Sequence, residues 1–177
     1  MTIKIDSELE LRQLQLTDAH DIFETIDVQR SYLGKWLPFV AFTKQLSDTQ
    51  AFVASVVNAP EDRFEFIFTI RSEHKFVGVI GFKSTDWLNK ISEIGYWLSE
   101  KHQKKGIITK SVAKLSDFAF NTMDLNRIQI KCAIDNEPSI NIPKRLGFTF
   151  EGIERDGEWL TENEFTDLEV YSKLKSD

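Results

Sequence analysis

The sequence predicts an α/β fold, a mixed sheet of about seven strands with helices packed against it. Three observations carry this. Segments of alternating apolarity, such as Phe64, Phe66, Phe68 and Ile70, interleave with segments whose apolar residues recur at helical spacing, such as Ile108, Val112, Leu115 and Ala119. The period switches from two to 3.6 across residues 100 to 107, and strand 91–99, helix 107–122 and strand 127–134 imply a right-handed parallel crossover. The 177 residues contain no repeat, low-complexity tract or linker, so one domain spanning 1–177 is expected.

In chain order, Leu9, Leu11 and Leu14 open a strand, and Thr17-Asp18 offers the cap of a helix facing inward through Ala19, Ile22, Phe23 and Ile26. Ser31 to Phe42 holds Tyr32, Trp36, Pro38, Phe39 and Phe42 without a period, so it reads as loop or short helical turns. Its aromatics either plug the core or wall a substrate pocket. Ser47 or Asp48 caps a second helix with Phe52, Val53, Val56 and Val57 inward, closing near Asn58 and Pro60. Two strands follow, 64–70 and 75–83, about a turn at Ser72-Glu-His-Lys75. After the crossover, Asn136 caps a short helix that Gly147 ends in the left-handed conformation. Pro143 restricts that helix, since an interior proline costs about 3 kcal/mol. Phe148–Ile153 and Phe165–Leu174 are the last strands, joined by a polar connection from Arg155 to Glu164.

A net charge of −6 and a pI near 5.2 give no sequence-wide attraction to nucleic acid and favour a cationic or amine-bearing substrate. No stretch approaches the roughly 20 apolar residues of a membrane helix, so cytoplasmic residence without a membrane partner is expected. Cys132 is the only cysteine and lies in an alternating apolar segment, as a buried structural thiol would. His20, His74 and His102 have no ligand spacing, and no metal is expected.

The turn at 103–106 opens directly into a helix, which aims unpaired N–H groups and the positive end of the peptide dipoles at one point. Such a point suits a phosphate. Gly106 admits close approach or positive φ, Thr109 adds a hydroxyl, and Lys104 and Lys105 add charge. The loop fits neither GxxxxGK[ST] nor GxGxxG, which argues against a nucleotide triphosphatase or a Rossmann site.

Gln103-Lys-Lys-Gly106-Ile-Ile108 resembles the pyrophosphate loop of the GNAT N-acetyltransferases, and Asn136-Glu-Pro-Ser139 with Leu146-Gly147-Phe148 resembles their second cofactor motif. Glu93-Ile-Gly-Tyr-Trp-Leu98 and Trp36-Leu-Pro-Phe39 are similar to the RimJ/RimL-like branch, which acetylates protein N-termini. The resemblance implies a mostly antiparallel twisted sheet whose central parallel pair splays to admit acetyl-coenzyme A. It also implies cofactor contacts from Gln103, Lys104, Lys105, Gly106, Ile107, Ile108, Thr109, Asn136 and Ser139, and from the backbone near Trp97 and Leu98. Ile108 departs from the small residue usual there and could crowd the diphosphate. Trp36 and Phe39 would meet the acceptor.

Two glutamates compete as general base: Glu158, which matches the RimL-like position, and Glu93 on the central strand, where other branches keep theirs. For either, the structural alternative is a solvated surface charge. Pro143 stands seven residues after Asn136, where many relatives carry an acid tyrosine. Ser139 is then the donor to the coenzyme sulfur, or else a helix cap. The implied activity is acetyl transfer from acetyl-coenzyme A to the N-terminal α-amine of a protein of ribosomal type, by direct attack in a ternary complex. The alternatives are a small-molecule amine (an antibiotic, polyamine or amino acid) or an acyl-coenzyme A binding module without turnover. The resemblance admits a C₂ homodimer, although no exposed apolar helix face demands one.

Overall fold

The computed structural model describes residues 1–60, 65–161 and 164–177. Eight strands are hydrogen-bonded in the order β1-β2-β3-β4-β5-β6-β8-β7: β1 (Thr2–Lys4), β2 (Leu9–Gln13), β3 (Ile67–Ser72), β4 (Lys75–Asp86), β5 (Ile91–Leu98), β6 (Arg127–Ala133), β7 (Thr149–Thr161) and β8 (Glu164–Leu174). The sheet is mixed, with β5 and β6 parallel. β1 is the strand beyond the expected seven, and three residues are too few to show a period. The chain divides into two compact units, Met1–Gly81 with Tyr96–Ile107, and Phe82–Gly95 with Ile108–Asp177; β4 and β5 run through both.

In the first unit β1, β2, β3 and the start of β4 form an antiparallel meander. Glu73 and His74, at φ 50° and 65°, close the β3–β4 hairpin with the left-handed pair that matches strand twist. Phe64 lies outside the described residues. The core gathers Leu14, Ile22, Ile26, Leu33, Val40 and Val53 from α1 (Ala19–Val28), α2 (Arg30–Leu33), α3 (Leu46–Val57) and the short turn at Pro38–Ala41. Asp18 stands at the cap of α1, but its carboxylate makes no cap bond. It is buried and accepts instead from Arg12, from Arg71 at 2.8 Å and from the Gln15 N–H at 2.9 Å. In α3 the cap position is Gln45, and Asp48 serves from the third position by accepting the Lys44 and Gln45 N–H groups. Phe52, expected inward, is 45% exposed because α3 buries only a narrow stripe through Thr49 and Val53.

In the second unit α4 (Ile107–Asn121) buries Ile108, Val112, Leu115 and Ala119, the face its spacing predicts. The parallel ladder runs from Ile91↔Arg127 to Glu93↔Gln129, and both strands continue beyond it, which fits a pair that parts after Glu93. β8 pairs antiparallel with β6 and with β7. The expected polar connection from Arg155 is instead strand. β7 continues to Thr161, with residues 162–163 outside those described. Helix α5 (Glu137–Arg145) tolerates Pro143 in its last turn. There the Phe148 N–H reaches the Pro143 carbonyl, the Gly147 N–H reaches that of Lys144, and Gly147 takes φ 71°. No helix among the described residues is long and apolar enough to cross a membrane.

Candidate active site

The turn before α4 has the backbone that an anion loop needs. Gln29 holds its start, donating to Ser99 Oγ at 3.0 Å and accepting the Glu100 N–H at 2.8 Å. A 3-10 turn at Glu100–His102 follows, then Lys104 at φ 61° and Gly106 at φ 72°. A Cβ added to Gly106 would meet nothing within 4 Å, so the space beside it is open to a ligand. Gly106, Lys104 and Lys105 are exposed, and Thr109 is half-buried in the first turn of α4. Ile107 and Ile108 are buried, so neither isoleucine stands out in solvent over the turn. The Gln103 amide donates to the Tyr32 hydroxyl. His102 has its Nδ1 buried without a partner, and burial, helped by Lys105 and Lys101, holds its pKa below the ordinary value. These residues fit a diphosphate: open backbone, two exposed ammonium groups and the N-terminus of a 15-residue helix.

Trp97 packs edge-on against Phe76 at 5.8 Å, and Leu98 is buried. Packing therefore occupies both side chains. The aromatic segment divides: Tyr32 and Leu37 pack against the core of the first unit, whereas Phe39 is 42% and Phe42 60% exposed. Trp36 is half-buried, with the Lys35 ammonium 4.6 Å from its ring centre.

The second unit gathers both glutamates. Glu93 is only 7% exposed, which removes the surface-charge alternative. Lys83 Nζ lies 2.7 Å from its Oε1, and Gln129 Nε2 donates to its Oε2 at 3.3 Å. Both oxygens are thereby engaged. Glu158 is half-buried, and its carboxylate forms no hydrogen bond or ion pair among the described residues. Burial raises its pKa above the ordinary carboxylate value, the Glu93 charge raises it further, and Lys83 opposes both. A bulge precedes it in β7. Between the pairs Glu154↔Leu168 and Glu158↔Thr166, β7 advances four residues while β8 advances two. Asp156 sits in this bulge at φ 48°, its N–H donating to Asp167 Oδ1 at 2.8 Å.

Ser139 lies in the first turn of α5. Asn136 supplies the cap there, its Oδ1 accepting the Ser139 N–H at 3.4 Å. The Ser139 hydroxyl is thus not the cap, and it lies 3.3 Å from the Sγ of buried Cys132. Pro143 is buried in the same helix. Among the described residues no group of three or more His, Cys, Asp and Glu could hold a metal. Sequence reasoning missed Lys83, Gln129 and Gln29, whose partners lie on other elements. The Lys83 stem passes Gly95 on β5, which a Cβ would meet at 3.7 Å, a proximity that only the fold creates.

A family model described as an acetyltransferase (GNAT) domain matches residues 8–149. The chain is 31% identical to the ribosomal-protein-serine acetyltransferase of Escherichia coli (strain K12), over 98% of this chain and 96% of that protein. It is 32% identical to the putative ribosomal N-acetyltransferase YdaF of Bacillus subtilis (strain 168), over 98% and 95%. The crystal structure of the microcin C7 self immunity acetyltransferase MccE in complex with acetyl-CoA and AMP superposes with a TM-score of 0.90 at 31% identity, covering 97% of this chain and 95% of that one.

Proposed function

The chain belongs to the GNAT acetyltransferase family, and from that premise we propose that it transfers an acetyl group from acetyl-coenzyme A to the N-terminal α-amine of a protein in the cytoplasm. The observation that carries the chemistry is a contrast between two carboxylates: both oxygens of Glu93 are engaged, while half-buried Glu158, which feels the Glu93 charge, is left open. An α-amine has a pKa of about 7.7–8.0, so roughly a tenth or more is already neutral at pH 7 and the base has modest work to do. Glu158 takes the departing proton, directly or through water. The backbone of Gln103 to Thr109, with Lys104 and Lys105, would hold the diphosphate, and Asn136 orders the first turn of α5. When bound, the coenzyme supplies the acyl group as a thioester whose thiol is a good leaving group. The Ser139 hydroxyl is placed in this reading to donate to the sulfur, and a backbone N–H near Trp97 or Leu98 to donate to the carbonyl oxygen. Phe39 and Trp36 are the candidate contacts for the acceptor.

Two relatives named for ribosomal proteins support the peptide reading. The relative bound to AMP, equally similar, keeps a small-molecule amine as the second reading. Thiol release from acetyl-coenzyme A over a panel of N-terminal peptides, polyamines, amino acids and aminoacyl nucleotides separates them. The expected result is at least tenfold higher kcat/KM for a peptide, about 1.4 kcal/mol of preference. The reverse order would give the small-molecule reading, and measurable coenzyme binding without release to any acceptor would leave only a binding module.

A further inference from the structure

We infer that Lys83 is a positioning residue for the transfer: laid across Gly95 and bound to Glu93, its ammonium occupies one carboxylate of the cluster and leaves Glu158 as the one open to an incoming amine. This rests on Glu158 being the base. The geometry is asymmetric in a way that a surface ion pair is not. The Lys83 side chain is 55% exposed, while the Glu93 side chain it holds is 9% exposed. Its stem crosses β5 where Gly95 provides no side chain, with Cε 3.7 Å and Cδ 3.9 Å from where a Cβ would stand. Gln129 occupies the other Glu93 oxygen, so nothing but Lys83 supplies a counter-charge to that buried anion among its recorded partners.

The charges that reach Glu158 are those of Lys83 on β4 and Glu93 on β5. On the other elements packed here, Lys131 of β6 pairs with Glu154 at 2.6 Å, and Asp167 of β8 accepts the Asp156 N–H. Removal of the ammonium leaves the Glu93 charge acting on Glu158 without the opposing Lys83 charge, which favours the protonated form of Glu158. Glu158 must be free of that proton to act as base. Lys83 therefore favours the deprotonated, base-competent form of Glu158.

Lys83→Met keeps the stem and removes the charge; because it leaves buried Glu93 without a counter-charge, its fold is checked by a melting scan, and the double variant with Glu93→Gln removes both charges together. Two readouts test it: the ¹³C NMR titration of the Glu158 carboxyl in the free protein, assigned by its loss in Glu158→Gln, and the pH profile of thiol release with a serine-initial peptide as acceptor. In Lys83→Met both midpoints should rise by roughly one pH unit or more. Lys83→Arg should stay near the wild-type midpoint, and Lys83→Met combined with Glu93→Gln should return toward it. An unmoved midpoint in Lys83→Met, or a double variant displaced as far as the single one, overturns the inference. Full activity in Glu158→Gln would sink the base assignment instead, and the NMR arm separates the two outcomes because it needs no turnover.

Discussion

Each unit buries a carboxylate among strands, and the two are finished differently. Asp18 is 1% exposed and closed on all sides, with Arg12, Arg71 and a backbone N–H taking its oxygens. Glu93 is likewise closed, by Lys83 and Gln129, but Glu158 beside it is left without a partner among the described residues at a cost in desolvation. A carboxylate matched by two guanidinium groups has nothing left to offer a substrate. One held partly dry without a bonded partner fits the base proposed above, since burial without full compensation is unfavourable.

The largest expected effect comes from removing the open carboxylate. Glu158→Gln should lower kcat by about 10²–10⁴, the usual contribution of a general base, in a steady-state thiol-release assay. The same variant should not lose thermal stability at neutral pH. A carboxyl whose folded pKa stands above its unfolded one binds more protons when folded, so its stabilisation is complete below the unfolded pKa and is lost as pH rises through the folded one. Asp18→Asn should do the opposite, leaving two arginines unmatched. It should cost about 3–5 kcal/mol, or roughly 6–20 °C in a melting scan, while protein that remains folded keeps its pH profile. If Asp18→Asn instead altered the pH profile, the division between structural and working carboxylates would fail. Gly106→Val forces a β-branched residue to φ 72°; it should raise the coenzyme Kd by roughly 5–100-fold in calorimetry and lower the melting temperature by roughly 2–12 °C. Smallest is Ser139→Ala, where loss of one neutral hydrogen bond should lower kcat by about 2–10-fold.

The turn at 103–106 and the helix it opens were legible in the chain because everything they need is contiguous: a glycine that takes positive φ and a helix of correct period. Helix α5 and its end at Gly147 were legible for the same reason. Arg155, Asp156 and Gly157 misled, since they are turn-forming residues and read as a connection, yet they are surplus residues inside a strand. Phe52 misled because helical spacing marks a face without saying how wide a stripe the neighbours will cover. Lys83 was invisible because its partners are set by strand neighbours, which no local pattern specifies.

The bulge in β7 has an effect at the sheet edge. β7 is the last strand of the sheet and carries Phe150, Ile153 and Trp159 in exposed positions, a combination that invites another chain to add on. Surplus residues at 155–157 break the regular row of backbone groups, the kind of irregularity that opposes edge-to-edge stacking. Deleting two of them to straighten the strand should show up first as self-association in light scattering, before any assay of turnover is attempted.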